Sequence, residues 1–329
     1  MRTALLRVGV MLTASMALFQ SPPVWGQPYP VKPVRLIIGG LPGTAPDVMA
    51  RSIMPRVSES LGQPVVIDNR GGGAGVLGAQ ITIAAPADGY TVLFVGGAAL
   101  SIIPFLTKSP PYDPLRDFTP VTFVALAAMI LASNPGLPAT SIKELISLAK
   151  DKPKALFYGT PGVGSIHHLT VEMFNRAAGI STVHVPYKGG PPAVLDTIGG
   201  RVQLVITTTI PVLPHVKTGR LRALGVTSSK RSIVFPEVPT IAESGVPGFE
   251  SHQWFALYAP RNTPAAVAEK FYGEVRKAVG IPAVAAVLEQ EGMEQAVNGP
   301  RALAEFQRAE AKKWQDMISY LRQTGTVLE

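Results

Sequence analysis

The sequence predicts an α/β protein built as two doubly wound lobes, each around a largely parallel sheet, with a central cleft between them. Three observations carry this. Apolar strand signals of four or five residues recur about thirty residues apart, with helical spacing between them, the pattern of βαβ units. At 329 residues the chain sits where single cores stop growing and two lobes form. It has no cysteine, so disulfides and thiolate metal sites are excluded and stability must come from burial.

The first residues read as an address. Arg2 and Arg7 precede the apolar run Val8 to Phe19, which is shorter than the ~20 residues that span a bilayer. Small residues follow at Val24 and Gly26, so a leader of residues 1–26 is expected, cleaved near Gly26 to leave Gln27 first. The arginines are not adjacent, so nothing marks the twin-arginine route. Removing Arg2 and Arg7 lowers the formal charge from +8 to +6. The basic residues are scattered and no basic-aromatic alternation occurs, which speaks against nucleic acid.

Val34 to Ile38, Val65 to Asp68 and Thr91 to Val95 read as the first three strands. Between the first two, Met49, Ile53, Val57 and Leu61 share one face of a helix over Pro46 to Leu61, with Pro55 as its weakest turn. The second half repeats the pattern. Leu156 to Tyr158, Val183 to Val185, Val202 to Ile206 and Leu224 to Val226 read as strands, with helices at Ser165 to Ala178, Pro191 to Ile198 and Pro211 to Thr218. Longer, more charged helices follow at Thr263 to Val279 and Arg301 to Arg322. Val121 to Ser133 and Trp254 to Ala259 look like crossings between lobes.

Several chemistries are weighed and set aside. Gly73-Ala74-Gly75-Val76-Leu77-Gly78 has the glycine spacing of a dinucleotide-binding turn. Asp68, Asn69 and Arg70 separate it from its strand, however, and no acidic residue stands about twenty positions on. The glycines then serve a tight turn before a helix around Gln80 to Ala84. Adjacent His167 and His168 fall on different sides of any regular element. His168 and Glu172 are one helical turn apart but lack a third ligand at readable spacing, so no metal is expected. No Gly-x-Ser-x-Gly elbow is present, and Ser165 with His168 has no evident acid partner, so serine hydrolysis is not expected either.

Two helix starts remain. Leu41-Pro42-Gly43-Thr44-Ala45-Pro46-Asp47 follows the first strand, with Thr44 as N-cap and Asp47 completing a Thr-x-x-Asp capping box. Thr160-Pro161-Gly162-Val163-Gly164-Ser165 follows a strand of the second half, with Ser165 as cap. Such turns expose backbone N–H groups beside the positive end of a helix dipole, at the strand ends where α/β proteins bind ligands. Facing each other they would form an anion clamp; the plainer alternative is two ordinary capped helices.

The turns belong to a longer pattern. In order come Tyr29-Pro30-Val31-Lys32-Pro33-Val34-Arg35, Asp68-Asn69-Arg70-Gly71, Pro86-Ala87-Asp88-Gly89-Tyr90-Thr91, Gly162-Val163-Gly164-Ser165-Ile166-His167-His168-Leu169, His184-Val185-Pro186-Tyr187-Lys188-Gly189 and Pro247-Gly248-Phe249-Glu250. This pattern resembles the Bug-type substrate-binding proteins of tripartite tricarboxylate transporters, along essentially the whole mature chain. The resemblance implies a type II periplasmic binding protein-like fold, with one lobe from residues 27–125 plus 255–329 and the other from 126–254. It implies a periplasmic monomer without cofactor, closing on a small carboxylate (a di- or tricarboxylate, an amino acid or an aromatic acid) for membrane subunits of a tripartite transporter. Carried over, the ligand contacts fall on Pro42, Gly43 and Thr44 in one lobe and Thr160, Gly164, Ser165 and His168 in the other. Gly97, Ala98, Lys188, Gly189 and Asp196 line the remainder. One departure stands out: Gly39-Gly40 replaces an aromatic usual in the family's first turn, which is expected to enlarge the pocket. The alternatives are an extracytoplasmic ligand sensor, which a neighbouring sensor-kinase gene would favour, and a secreted α/β enzyme, which would alter its ligand.

Overall fold

The computed structural model describes residues 29–107 and 109–325; the expected leader lies outside them. Among the described residues, ten strands and eleven α-helices follow one another along the chain. The first half runs β1 (Val34–Ile38), α1 (Ala45–Leu61), β2 (Val65–Asn69), α2 (Val76–Ile83), β3 (Thr91–Gly96), α3 (Ala98–Ser101), α4 (Ile103–Leu106) and β4 (Phe118–Ser133). Next come α5 (Ile142–Asp151), β5 (Phe157–Thr160), α6 (Ile166–Ala178), β6 (Val183–Pro186), α7 (Gly190–Ile198), β7 (Leu204–Thr208), α8 (Thr209–Lys217) and β8 (Arg222–Val226). The chain ends with β9 (His252–Pro260), α9 (Ala265–Val279), α10 (Pro282–Gln290), β10 (Met293–Gln295) and α11 (Pro300–Gln323).

The strand order is β2-β1-β3-β9-β4-β7-β5-β6, with β8 and β10 also on β4. β1 pairs parallel with β2 and β3, and β5 pairs parallel with β6 and β7. The two triplets repeat one motif: a central strand whose chain leaves to one side and then to the other. β9 and β4 join them in antiparallel fashion, so the sheet is parallel at its flanks and antiparallel through its middle. β4 spans both regions. Its residues up to Ala128 pair with β9 and those from Met129 with β7 and β8.

The core follows the same division. Residues of α1 predicted to share a face, Met49, Ile53, Val57 and Leu61, are buried against Val34, Leu36 and Phe94, with Phe271 and Val275 of α9 closing that layer. Pro55 sits on the exposed face, and α1 runs through it to Gly62, whose φ of 68° ends the helix. A second cluster joins Leu93, Val95, Phe123, Trp254 and Tyr258. Beyond Ala128 the buried residues form separate clusters around Leu131, Leu169 and Phe174 and around Val205 and Val226. Helix α11 contributes to both sides. Leu303 and Phe306 pack with Trp254, whereas Trp314, Met317, Ile318 and Leu321 enter the cluster of Leu131 and Leu169.

The glycine run expected to turn before a helix does so, and earlier than expected. Gly73–Gly75 form a 3₁₀ turn with Ala74 at φ 55° and Gly75 at φ 103°, and α2 starts at Val76 rather than near Gln80. Gly75 and Gly78 pack against Gly39 and Val95, so these glycines serve close approach of backbone and sheet.

Candidate ligand-binding site

The site is built at the carboxyl ends of β1 and β5. Each is a point where the chain winds first to one side of the strand and then to the other, and such switch points leave a crevice. A cavity of about 390 Å³ opens there. Its wall takes Gly39, Gly40, Thr44 and Pro46 from the β1–α1 turn, Gly96 to Ala98 from the end of β3, Ile103, and residues 161–167 from the β5–α6 turn. Ala74, Gln253 and Phe255 complete it. No Asp, Glu, Lys or Arg belongs to this wall. Any charge bound there meets backbone dipoles and neutral side chains.

The two helix starts are fixed by different means. Ser165 caps α6: its Oγ accepts the His168 N–H at 3.2 Å and donates to the Gly162 carbonyl at 2.8 Å. Gly162 and Gly164, at φ 150° and 67°, give the turn a shape that side-chain-bearing residues rarely adopt. At α1 the expected capping box is absent. Thr44 is the N-cap residue but makes no cap bond, donating instead to the Leu41 carbonyl at 2.6 Å. Asp47 reaches one residue further back, accepting the Gly43 N–H at 2.9 Å, and also binds Arg51 and Asn69. The reason is the turn itself: Gly43 at φ 80° aims its own N–H inward. Burial pushes the Asp47 carboxyl up, yet its bonds from Arg51, Gly43 and Asn69 hold it below the usual carboxylate range.

Of the twelve residues proposed from sequence, Thr44, Gly97, Ala98, Gly164 and Ser165 lie in the wall. Gly97 is forced by packing, since a Cβ would fall 2.1 Å from Trp254 Cε2. Pro42 and Gly43 are exposed in the same turn as Thr44 but outside the wall. Thr160 and His168 are fully buried behind it, where Thr160 Oγ1 lies 2.6 Å from His184 Nε2 and His168 Nδ1 accepts the Gly164 N–H at 3.2 Å. Lys188 is exposed, and Gly189 starts α7, both away from the wall. Asp196 also lies apart: Arg201 bonds it at 2.6 Å and Tyr187 at 2.9 Å, which lowers its pKa. Gly39 and Gly40 border the cavity, but a Cβ on Gly39 would meet Val95 at 2.8 Å and one on Gly40 would meet Thr44 Oγ1 at 2.5 Å. Their side-chain directions face packed atoms, so the pair does not simply free space for a ligand.

Sequence reasoning missed His167, Gln253 and Phe255. His167 and His168 do point to opposite sides of α6: His167 faces the cavity, and burial pushes its pKa down to about 4. Its Nε2 has no hydrogen-bond partner among the described residues. The Gln253 side chain likewise bonds to none of them and lines the cavity. A larger depression, about 840 Å³, opens behind the same turn beside Glu172, Arg176 and Tyr320. The smaller cavity is the candidate because, unlike this depression, it meets both switch points and both helix starts.

Residues 49–322 match the tripartite tricarboxylate transporter family receptor. The chain belongs to that family. Among curated relatives, Protein BugT of Bordetella pertussis is 36% identical over 308 residues, covering 93% of this chain and 94% of its own. Among solved structures, R. palustris Rpa4515 with adipate is 35% identical with a TM-score of 0.77, covering 88% of this chain and 97% of its own. MatC (Rpa3494) from Rhodopseudomonas palustris with bound malate is 28% identical with a TM-score of 0.73, covering 88% and 100%. These likenesses place the fold among periplasmic binding proteins of this receptor family, whose members bind solutes rather than transform them.

Proposed function

We propose that the chain captures a small carboxylate in the cavity between the β1–α1 and β5–α6 turns and delivers it to membrane subunits of a tripartite transporter. The observation that carries this is the wall itself: two helix starts converge on a pocket without any charged side chain. Each helix start offers about half a positive charge toward the cavity. A carboxylate is satisfied there, while a cation finds no acid. The adipate and malate in the related structures are carboxylates of suitable size.

The two lobes read from the sequence, 27–125 plus 255–329 and 126–254, close by bending at β4 and β9, with the last turns of α11 resting on the second lobe. In this reading the protein works as a periplasmic monomer, freed of its leader near Gly26. The test is a thermal-shift screen of mono-, di- and aromatic carboxylates, followed by recovery of the ligand. A ligand at 100 times its dissociation constant adds ~2.7 kcal/mol and should be recovered unchanged. No shift with any carboxylate, or recovery of a product, would overturn the reading.

A further inference from the structure

The back of the β5–α6 turn has its own chemistry. His168 Nδ1 accepts the Gly164 N–H, so that nitrogen carries no proton; the neutral ring holds its proton on Nε2, which has no partner among the described residues. The His184 ring stacks on it, centroids 3.8 Å apart and planes 11° apart. His184 Nε2 in turn lies 2.6 Å from Thr160 Oγ1, and that oxygen accepts the Gly162 N–H at 3.2 Å. Both glycine amides of the turn are therefore oriented by one stacked imidazole pair.

The other groups facing the pair come from every neighbouring element. Tyr158 of β5 stacks on His184 with centroids 5.1 Å apart and donates to Glu172 of α6 at 2.5 Å. Glu172 binds Tyr158 and Asn175 rather than either imidazole. Lys154 and Arg176 border the depression behind the pair, Arg176 lying over the ring of Tyr320 from α11. His167 faces the other way, into the cavity. Among the described residues, no carboxylate bonds either ring to stabilise a charge on it.

We propose that His168, backed by His184, is a positioning residue of the ligand turn, and that protonating this pair releases the Gly164 amide and weakens ligand capture. This deepens the binding reading above and rests on it. A protonated Nδ1 would present N–H to N–H, and two charged rings stacked at 3.8 Å repel. Burial, joined by the charge of His184, pushes His168 down to about 3, and burial pushes His184 down to about 4. The pair is thus neutral near pH 7 and responds on the acid side.

The experiment compares the parent with His168→Asn and His168→Leu, using adipate as probe in calorimetric titrations between pH 7 and 3.5, a range that reaches into the titration of the pair. Asn places a non-titrating amide oxygen near the position of Nδ1; Leu offers no acceptor. At pH 7 the Asn variant should bind within a few-fold of the parent and the Leu variant about tenfold more weakly, the size of one lost hydrogen bond. On acidification the parent should lose affinity more steeply than the Asn variant, since protonation of adipate itself is common to both. Identical pH profiles for parent and Asn variant would overturn the proposal, as would a Leu variant that binds like the parent. Nitrogen NMR of ligand-free, histidine-labelled protein gives a readout that needs neither adipate nor the Leu variant to fold. It should show His168 as the Nε2–H form at pH 7, with the Gly164 amide shift following its titration. An Nδ1–H form, or a Gly164 amide blind to that titration, sinks the idea. Failure of adipate to bind the parent would instead count against the probe's place in the binding reading.

Discussion

Ser165 donates its hydroxyl proton to the carbonyl of Gly162, 2.8 Å away, while its oxygen accepts the N–H of His168. The hydroxyl that the sequence offers as both cap and ligand donor therefore already has a use for its proton. Ser165→Ala should cost ~1 kcal/mol of stability, within roughly 0.5–2, whereas Ser165→Gly should cost only a few tenths. Affinity should fall less than about tenfold in both, short of the 10- to 150-fold of a lost bond to a charged group. Urea unfolding and calorimetric titration of both variants check this. A larger loss of affinity would mean that the proton moves from Gly162 to the ligand on closure.

Gly97→Ala places a methyl group into the Trp254 indole, where the approach would be 2.1 Å. Gly97 also donates its N–H to the Trp254 carbonyl at 2.8 Å, so neither partner can retreat alone. Overpacking of this kind costs ~1–3 kcal/mol. Unfolding followed by tryptophan emission should show the loss together with a shifted native spectrum, because Trp254 must move.

Gln253→Leu tests the cavity without testing the fold. The side chain has no hydrogen bond to give up among the described residues, so stability should change by less than about 0.5 kcal/mol. The order of preference among carboxylates should change instead, moving away from ligands with a hydroxyl or a second polar group. An unchanged ranking in the thermal-shift screen would remove Gln253 from the recognition surface.

Acid should weaken the fold in a defined window. His167, His168 and His184 have folded-state pKa values pushed down by burial to about 4, 3 and 4, against 6.5 when free. Between those values the unfolded chain binds more protons than the folded one, so stability is full above pH 6.5 and declines as pH falls toward 4. Each histidine contributes at most about 1.4 kcal/mol per pH unit. Urea midpoints measured from pH 7 to pH 4.5 should decline, and His184→Asn should flatten the slope. Constant midpoints across that range would contradict the burial of these rings.

Much of the architecture is legible because periodicity reports burial. The strand Val34–Ile38 is placed to the residue, and the apolar face of α1 is the face that packs. Helix α5 went unread although its start carries a signal: Ser141 caps Glu144, and Glu144 reaches back to Thr140. β10 has three residues, too few for any pattern, and exists because β4 offers it a partner. At the site, glycine-rich turns at strand ends are readable locally, so Thr44, Gly164 and Ser165 could be found, whereas Gly97 came only through the family resemblance. Gln253 could not, because it reaches the cavity through the antiparallel pairing of β9 with β3 and β4, a long-range event. Alternation along α6 separates His167 from His168, but which one meets the ligand depends on the face that packs against Leu131 and Tyr158.

The path of α11 bears on how the protein is made. Its first turns complete the layer around Trp254 and its last turns complete the layer around Leu169, so neither half can finish its interior until this helix has left the ribosome. Contacts of such long sequence separation form slowly. On this path the chain should gain its protease resistance late, once residues 300–323 are available to both halves. Shortening it before Pro300 should yield a protease-sensitive product in both halves at once.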